Sequence, residues 1–210
     1  MSSKGQPIIG VDVQILKAYL ISSPFSEGTE ATLKKLLKVA SFRVRNDALE
    51  ADESWRHFIS YQLVFDQRGR IFIYQRGENI GEKRLSGLFS VGVGGHIERK
   101  DFFEFNNGDP SYEGLVAGAD RELCEELHFQ NLISRSFAGF ICSSDPPVDR
   151  VHLGLVYKIE IDGFEGVGEE LAERGGRFVA LPEVLKKKKS LESWSQILLL
   201  HLQSIKPVLL

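Results

Sequence analysis

Cysteine is scarce in this chain: Cys124 and Cys142 are the only two, without CxxC spacing and without a histidine cluster near either in the sequence. That argues against a disulfide framework or a cysteine-built zinc site, and reduced thiols are expected. Long apolar runs are also missing. The stretch Ile197–Leu200 falls far short of the roughly 20 residues that cross a bilayer. The opening MSSKGQPIIGVDVQ places no apolar run behind a basic start, so no signal peptide and a cytoplasmic location are expected. Positive charge is not in excess either. Lys and Arg number 26 against 29 Asp and Glu, for a net charge of −3 and a pI near 6.0. A general nucleic-acid binder is therefore disfavoured, although a local cationic pocket for phosphate is compatible with this balance. No internal repeat is visible. What remains is an ordinary soluble-type composition, 42% apolar and 26% charged over 210 residues, enough to bury a full core.

The spacing of apolar residues predicts a helix over Ala31–Ala40, with Leu33, Leu36, Leu37 and Val39 facing one way. Past Asp52 the pattern turns to β-branched and aromatic residues. His57–Phe65 and Arg70–Arg76 read as strands joined by the turn Asp66-Gln-Arg-Gly69. A third apolar run, Leu88–Gly95, ends in a glycine-rich turn. Asp109-Pro110 is expected to open a helix running to about Leu127. Strands are expected near 134–141, 150–161 and 176–180, followed by a helix from Pro182 and an amphipathic helix over 191–205. The fold class is α+β, an α/β/α sandwich with a mixed sheet flanked by helices. Residues 1–53 read as a partly helical N-terminal extension and 54–210 as the principal domain.

The stretch with the most chemistry is Arg121-Glu-Leu-Cys-Glu-Glu126. At helical pitch Glu122, Glu125 and Glu126 share a stripe about 100° wide. Val116, Ala119, Leu123 and Leu127 form the adjacent face, which is expected to pack on a sheet. Three like charges this close repel one another. A hard divalent cation, Mg²⁺ or Mn²⁺, relieves that repulsion and takes oxygen ligands of this kind. The competing reading of a bare REXXEE string is a solvated acidic face. The glycines at 92–95, Glu98 and Glu113 supply the context that favours the metal.

These residues resemble the Nudix hydrolase family, whose motif is GX5EX7REUXEEXGU with U a bulky aliphatic residue. Glu113, Arg121, Glu122, Leu123, Glu125, Glu126 and Phe129 match its second half at the right spacing, and Gly94-Gly-His-Ile-Glu98 is similar to its GGXXE opening. Two features depart from the motif. Gly95 and Glu113 lie 18 positions apart where the motif has six, so about twelve residues are inserted, and 99–109 reads as a polar loop. His128 stands where the motif has the glycine that ends the helix. The resemblance covers about residues 57–181. It implies a loop–helix–loop holding metal, with Glu122, Glu125 and Glu126 as ligands, the Gly95 carbonyl, Glu98 and Glu113 as further candidates, and Arg121 orienting a carboxylate. Glu113 is either a ligand or Arg121's partner. The implied reaction is attack of water on the phosphorus of a small-molecule diphosphate, aided by metal and a carboxylate base. Glu122 and Glu125 are candidate catalytic residues, and Glu170 is favoured slightly over Glu169 and Glu173 as a base from the later loop.

Arg76, His96 and Arg43 are candidates for substrate phosphate, with Arg45 beside the last. His96 could equally support its loop. His152, alternating with apolar residues, reads as a buried, hydrogen-bonded strand histidine. Lys186–Lys189 reads as a solvated face, and Phe137, Phe140 and Phe178 as core. Two rival functions share the resemblance. One is a non-catalytic ligand sensor, which would not need the glutamates. The other is a prenyl-diphosphate isomerase, and Cys124 fits it poorly because it lies about 200° round the helix from Glu122. The partner is a small-molecule diphosphate, without membrane or nucleic acid. Residues 1–53 and 99–109 are expected to shape the pocket or a homodimer contact.

Overall fold

A computed structural model describes residues 4–19, 24–77 and 87–201, apart from the side chains of Val148 and Glu170. In chain order its elements are β1 (Pro7–Asp12), α1 (Val13–Leu16), β2 (Phe25–Glu27), α2 (Glu30–Leu37), β3 (Ser41–Val44), β4 (Trp55–Asp66), β5 (Ile71–Gln75), β6 (Phe89–Ser90) and β7 (Gly92–Val93). These are followed by α3 (Phe103–Asn106), α4 (Tyr112–Glu126), β8 (Leu127–Ile141), β9 (His152–Val167), β10 (Arg177–Val179), α5 (Leu181–Lys186) and α6 (Ser193–Leu199). The result is the expected mixed β-sheet with flanking helices. The chain divides into two compact units. The first is Met1–Tyr61, Gly94–Leu123 and Phe137–Val156, and the second is Gln62–Val93, Cys124–Ser136 and Tyr157–Leu210. No helix among the described residues is long and apolar enough to cross a membrane.

In the first unit β1 pairs antiparallel with β3, from Pro7↔Val44 to Gly10↔Ser41, and with β4, from Gly10↔His57 to Asp12↔Trp55. Ile8, Ile9 and Val11 are fully buried there. The helical lead-in expected from the sequence thus also contains strands. A run as short as Ile8-Ile-Gly-Val11 becomes a strand because of partners more than 30 residues away. The helix α2 ends at Leu37, so Leu33, Leu36 and Leu37 are buried while Val39 lies beyond it. The Thr29 hydroxyl caps α2 by accepting from the Thr32 amide at 3.3 Å.

The insert is not the plain loop expected for 99–109. Glu98 caps a 3₁₀ turn over Arg99–Phe102, its carboxylate accepting from the Asp101 amide while the Asp101 carboxylate accepts from the Glu98 amide. Phe102 at the end of that turn is fully buried and meets the Phe42 ring edge-on, with centroids 5.2 Å apart. An apolar anchor inside a polar stretch is what makes the insert ordered. Phe102→Ala is expected to cost about 3–5 kcal/mol. A thermal melt should fall by about 2–4 °C per kcal/mol, and a shift within error of zero would contradict this packing.

The helix α4 starts two residues later than Asp109-Pro110 suggests. Asp109 closes the preceding turn by donating its amide to the Asn106 carbonyl, and the Ser111 hydroxyl accepts from the Gly114 amide at 3.1 Å. Ser111 therefore takes the cap position. Leu115, Ala119 and Leu123 are fully buried along α4. Gly118 permits a close approach: a Cβ there would lie 2.6 Å from Asp101 Oδ2.

In the second unit Phe65↔Ile71 closes the β4–β5 hairpin, with Gly69 at φ 68° and Asp66 Oδ1 accepting from the amides of Arg68 and Arg70. β10 pairs antiparallel with β5, and Phe72, Phe164 and Phe178 pack with ring centroids 5.1–5.9 Å apart. The helix α6 begins at Ser193 rather than Leu191, because the Glu192 carboxylate accepts from the Trp194 and Ser195 amides. Its expected continuation past 201 lies outside the described residues. The helix α4 passes directly into β8, with His128 exposed on the strand. Asn107 is the one non-glycine with positive φ among the described residues, so His128 adopts no left-handed turn. The motif's glycine is not needed where a strand follows at once.

Candidate functional site

The glycine turn expected before α4 is formed in the first unit. Gly94 has φ 131°, and a side chain there would run into the Ser60 carbonyl. The Gly95 carbonyl accepts from the Ser60 amide at 2.9 Å. A Cβ on Gly95 would lie 2.5 Å from Glu122 Oε2, so glycine at this position lets backbone and carboxylate meet.

Arg121 organises this region. Its Nε and Nη2 donate to the two oxygens of Asp101 at 2.9 and 3.0 Å, a forked pair. Nη1 donates to Glu122 Oε1 at 2.7 Å, and Nη2 also donates to the His96 carbonyl at 3.1 Å. Burial opposes the charge on this guanidinium, but its hydrogen bonds to Asp101 and Glu122 and their negative charges outweigh it and hold the group protonated far above its ordinary range. The Asp101 side chain is only 5% exposed. Glu122 is therefore a buried carboxylate fixed in direction by a half-buried cation.

Asp101 was missed by sequence reasoning. The sequence left Glu113 as either a metal ligand or Arg121's partner, and it is exposed in the first turn of α4 while Asp101 makes the forked contact. A signal existed. Asp101 lies six positions after Gly95, the spacing that the Nudix motif gives its first glutamate, with aspartate in its place. The twelve extra residues then fall between Asp101 and Arg121. Glu98 is buried in the cap described above, with Lys100 Nζ 2.8 Å from its Oε2.

The helix α4 is unbroken through Glu126, so Glu122, Glu125 and Glu126 keep the spacing that places them on one stripe. In the second unit Glu125 is exposed and Glu126 buried. The Glu126 carbonyl accepts from the Gly168 amide at 2.8 Å, which ties the 168–174 loop to the end of α4. Glu169 and Glu173 in that loop are exposed, and the Glu170 side chain lies outside the described residues. Tyr74 is buried, and burial pushes its hydroxyl up to about 12, with the Arg76 charge opposing and the Glu126 charge adding to the shift. Arg76 and Glu126 thus act on the same buried ring. Arg43 lies on β3, with Nη1 donating to Asp52 at 3.2 Å and its guanidinium 5.1 Å from the Trp55 ring.

Three of the chain's five histidines meet in the first unit. His57 on β4, His96 in the glycine turn and His152 at the start of β9 meet at tilted and edge-on angles, with ring centroids 5.2–5.5 Å apart. His57 Nδ1 is 3.3 Å from His96 Nε2, and His57 Nε2 is 3.3 Å from the Leu49 carbonyl. Burial lowers the basicity of His57, and far more that of His96, so both rings are neutral at ordinary pH. In the sequence His96 and His152 stand out only singly and His57 not at all, because the three are far apart along the chain.

No protein-family model matches the chain. Its sequence is 27% identical over 172 residues to the protein YmaB of Bacillus subtilis strain 168, covering 79% of this chain and 80% of that protein. Its structure is similar to that of Tm1382, a candidate Nudix hydrolase, at TM-score 0.79 and 26% identity over 95% of this chain and all of the other. It also resembles DR0079 from Deinococcus radiodurans, at TM-score 0.50 and 18% identity over 78% of this chain and 91% of the other.

Proposed function

The chain is a Nudix-fold protein, and from that premise we propose that it is a metal-dependent hydrolase cleaving a diphosphate linkage in a nucleoside diphosphate derivative or similar small molecule. The observation that carries the proposal is the Arg121 clamp, which aligns Glu122 against Gly95 at the head of the Glu122, Glu125 and Glu126 stripe.

The donor set suits Mg²⁺, with Mn²⁺ as a substitute: hard carboxylate oxygens carried on one helix, the first of them held close against the backbone of Gly95. Glu122, Glu125 and Glu126 would hold the ion, with the Gly95 carbonyl, Glu98 and Glu113 as the further candidates. The bound ion supplies charge neutralisation on the diphosphate and acidifies water. The chain does the rest. Arg121, fixed by Asp101, keeps Glu122 from turning away. Arg76 supplies a cation for a phosphate oxygen. A carboxylate takes the proton from the attacking water, either a motif glutamate (Glu122 or Glu125) or Glu170.

The test is phosphate or pyrophosphate release across a panel of nucleoside diphosphate derivatives with Mg²⁺, Mn²⁺ or EDTA. Release that depends on metal and stops with EDTA is expected for at least one member. Silence across the panel from a protein that binds Mg²⁺ would instead favour a ligand sensor on the same fold.

A further inference from the structure

We propose a second metal site, built by His57, His96 and His152 and suited to a borderline transition ion such as Zn²⁺, separate from the carboxylates of α4. One ring nitrogen from each histidine lies within 4.8 Å of the other two. Zinc–nitrogen bonds of about 2.0–2.1 Å at tetrahedral angles put neighbouring nitrogens about 3.3–3.4 Å apart. His57 Nδ1 and His96 Nε2 already stand at 3.3 Å.

The surroundings of His57 match what a ligand requires. Its Nε2 faces the Leu49 carbonyl, which can only accept, so the proton sits on Nε2 and the Nδ1 lone pair points at His96. Donation of the remote ring N–H to a backbone carbonyl is the usual outer support of a metal-bound imidazole. The three rings come from three separate segments, β4, the glycine turn and the start of β9, which is how closed protein chelates are assembled. His57 and His96 are buried, whereas His152 is half-buried and is the ring of the three that reaches solvent. All-nitrogen donors suit Zn²⁺, Co²⁺, Ni²⁺ or Cu²⁺ and not Mg²⁺, which separates this site from the glutamates by ligand chemistry. The charges acting on His57 are those of Glu50, Arg45 and Asp52, and the Arg45–Glu50 ion pair keeps the near field close to neutral. A bound ion would also steady the glycine turn, because the His96 carbonyl is one of the acceptors that hold Arg121.

The test uses the full chain, stripped with a chelator and titrated with Zn²⁺ by calorimetry, then with Co²⁺ by visible absorption. One Zn²⁺ per chain and the intense spectrum of tetrahedral Co²⁺ are expected. His152→Gln and His96→Gln should each weaken Zn²⁺ binding by about tenfold or more. His128→Gln, on the exposed face of β8, and the triple variant Glu122→Gln, Glu125→Gln, Glu126→Gln should bind Zn²⁺ as the parent does. The Co²⁺ spectrum is read on the unaltered protein and so does not depend on how the variants fold. A weak octahedral spectrum, no Zn²⁺ binding, or binding lost in the glutamate variant but kept in both histidine variants would overturn the site.

Discussion

Glu125→Gln is expected to lower kcat of the metal-dependent hydrolysis by about 10²–10³-fold, the loss typical when one preorganised charge-stabilising group is removed. Glutamine keeps the shape and removes the charge. Glu125 is exposed on α4, so its loss should leave stability within about 0.5 kcal/mol of the parent. That separates a functional effect from unfolding. Glu126→Gln should reduce turnover similarly. Because Glu126 is buried and its charge acts on Tyr74, this variant needs a melting curve beside the kinetics. Full activity in both variants would remove the carboxylate stripe from the mechanism.

Asp101→Ala should be the most damaging change to the clamp, affecting stability and activity together. It leaves the Arg121 guanidinium, 20% exposed, without its forked acceptor. Removing one partner of a buried ion pair costs about 3–5 kcal/mol. The remaining contacts to Glu122 and the His96 carbonyl place the expected loss near the lower end of that range. Turnover should fall as well, since an unanchored Arg121 no longer fixes Glu122. A double-mutant cycle with Arg121→Leu gives a sharper reading. The double variant is expected to cost clearly less than the sum of the two single changes. Additive costs would mean that the pair does not act as a unit. Glu113→Ala, at an exposed position, should change stability by no more than about 0.5 kcal/mol.

Much of this was legible locally. The hairpin around Asp66-Gln-Arg-Gly69, the helix carrying Arg121 and Glu122 and the strands on either side each follow from the spacing of their own residues. Boundaries were less readable. Asp109-Pro110 has the composition of a helix start, yet Ser111 took the cap because the Asp109 amide was already used to close the preceding turn. The strands in the first 53 residues were not legible, since the β1 sequence acquires its role only from pairing with β3 and β4. The insert hid its order for a related reason: a mostly polar segment is fixed by one phenylalanine against Phe42. Asp101 and the three histidines show the same limit at the level of the site. Arg121 and Asp101 stand 20 positions apart, and His57 and His152 far more, so no local pattern reports that they touch. The motif spacing from Gly95 to Asp101 is the one sequence signal for any of these contacts, and it becomes readable only once the contact is known.

The claim that the α4 carboxylates form the catalytic metal site is tested most directly by Mn²⁺ titration, followed by electron paramagnetic resonance. It should compare the parent with the triple variant Glu122→Gln, Glu125→Gln, Glu126→Gln. The account predicts Mn²⁺ binding in the parent, its loss in the triple variant, and retention of Zn²⁺ at the histidines in both. Mn²⁺ binding of equal strength in the two proteins would contradict it.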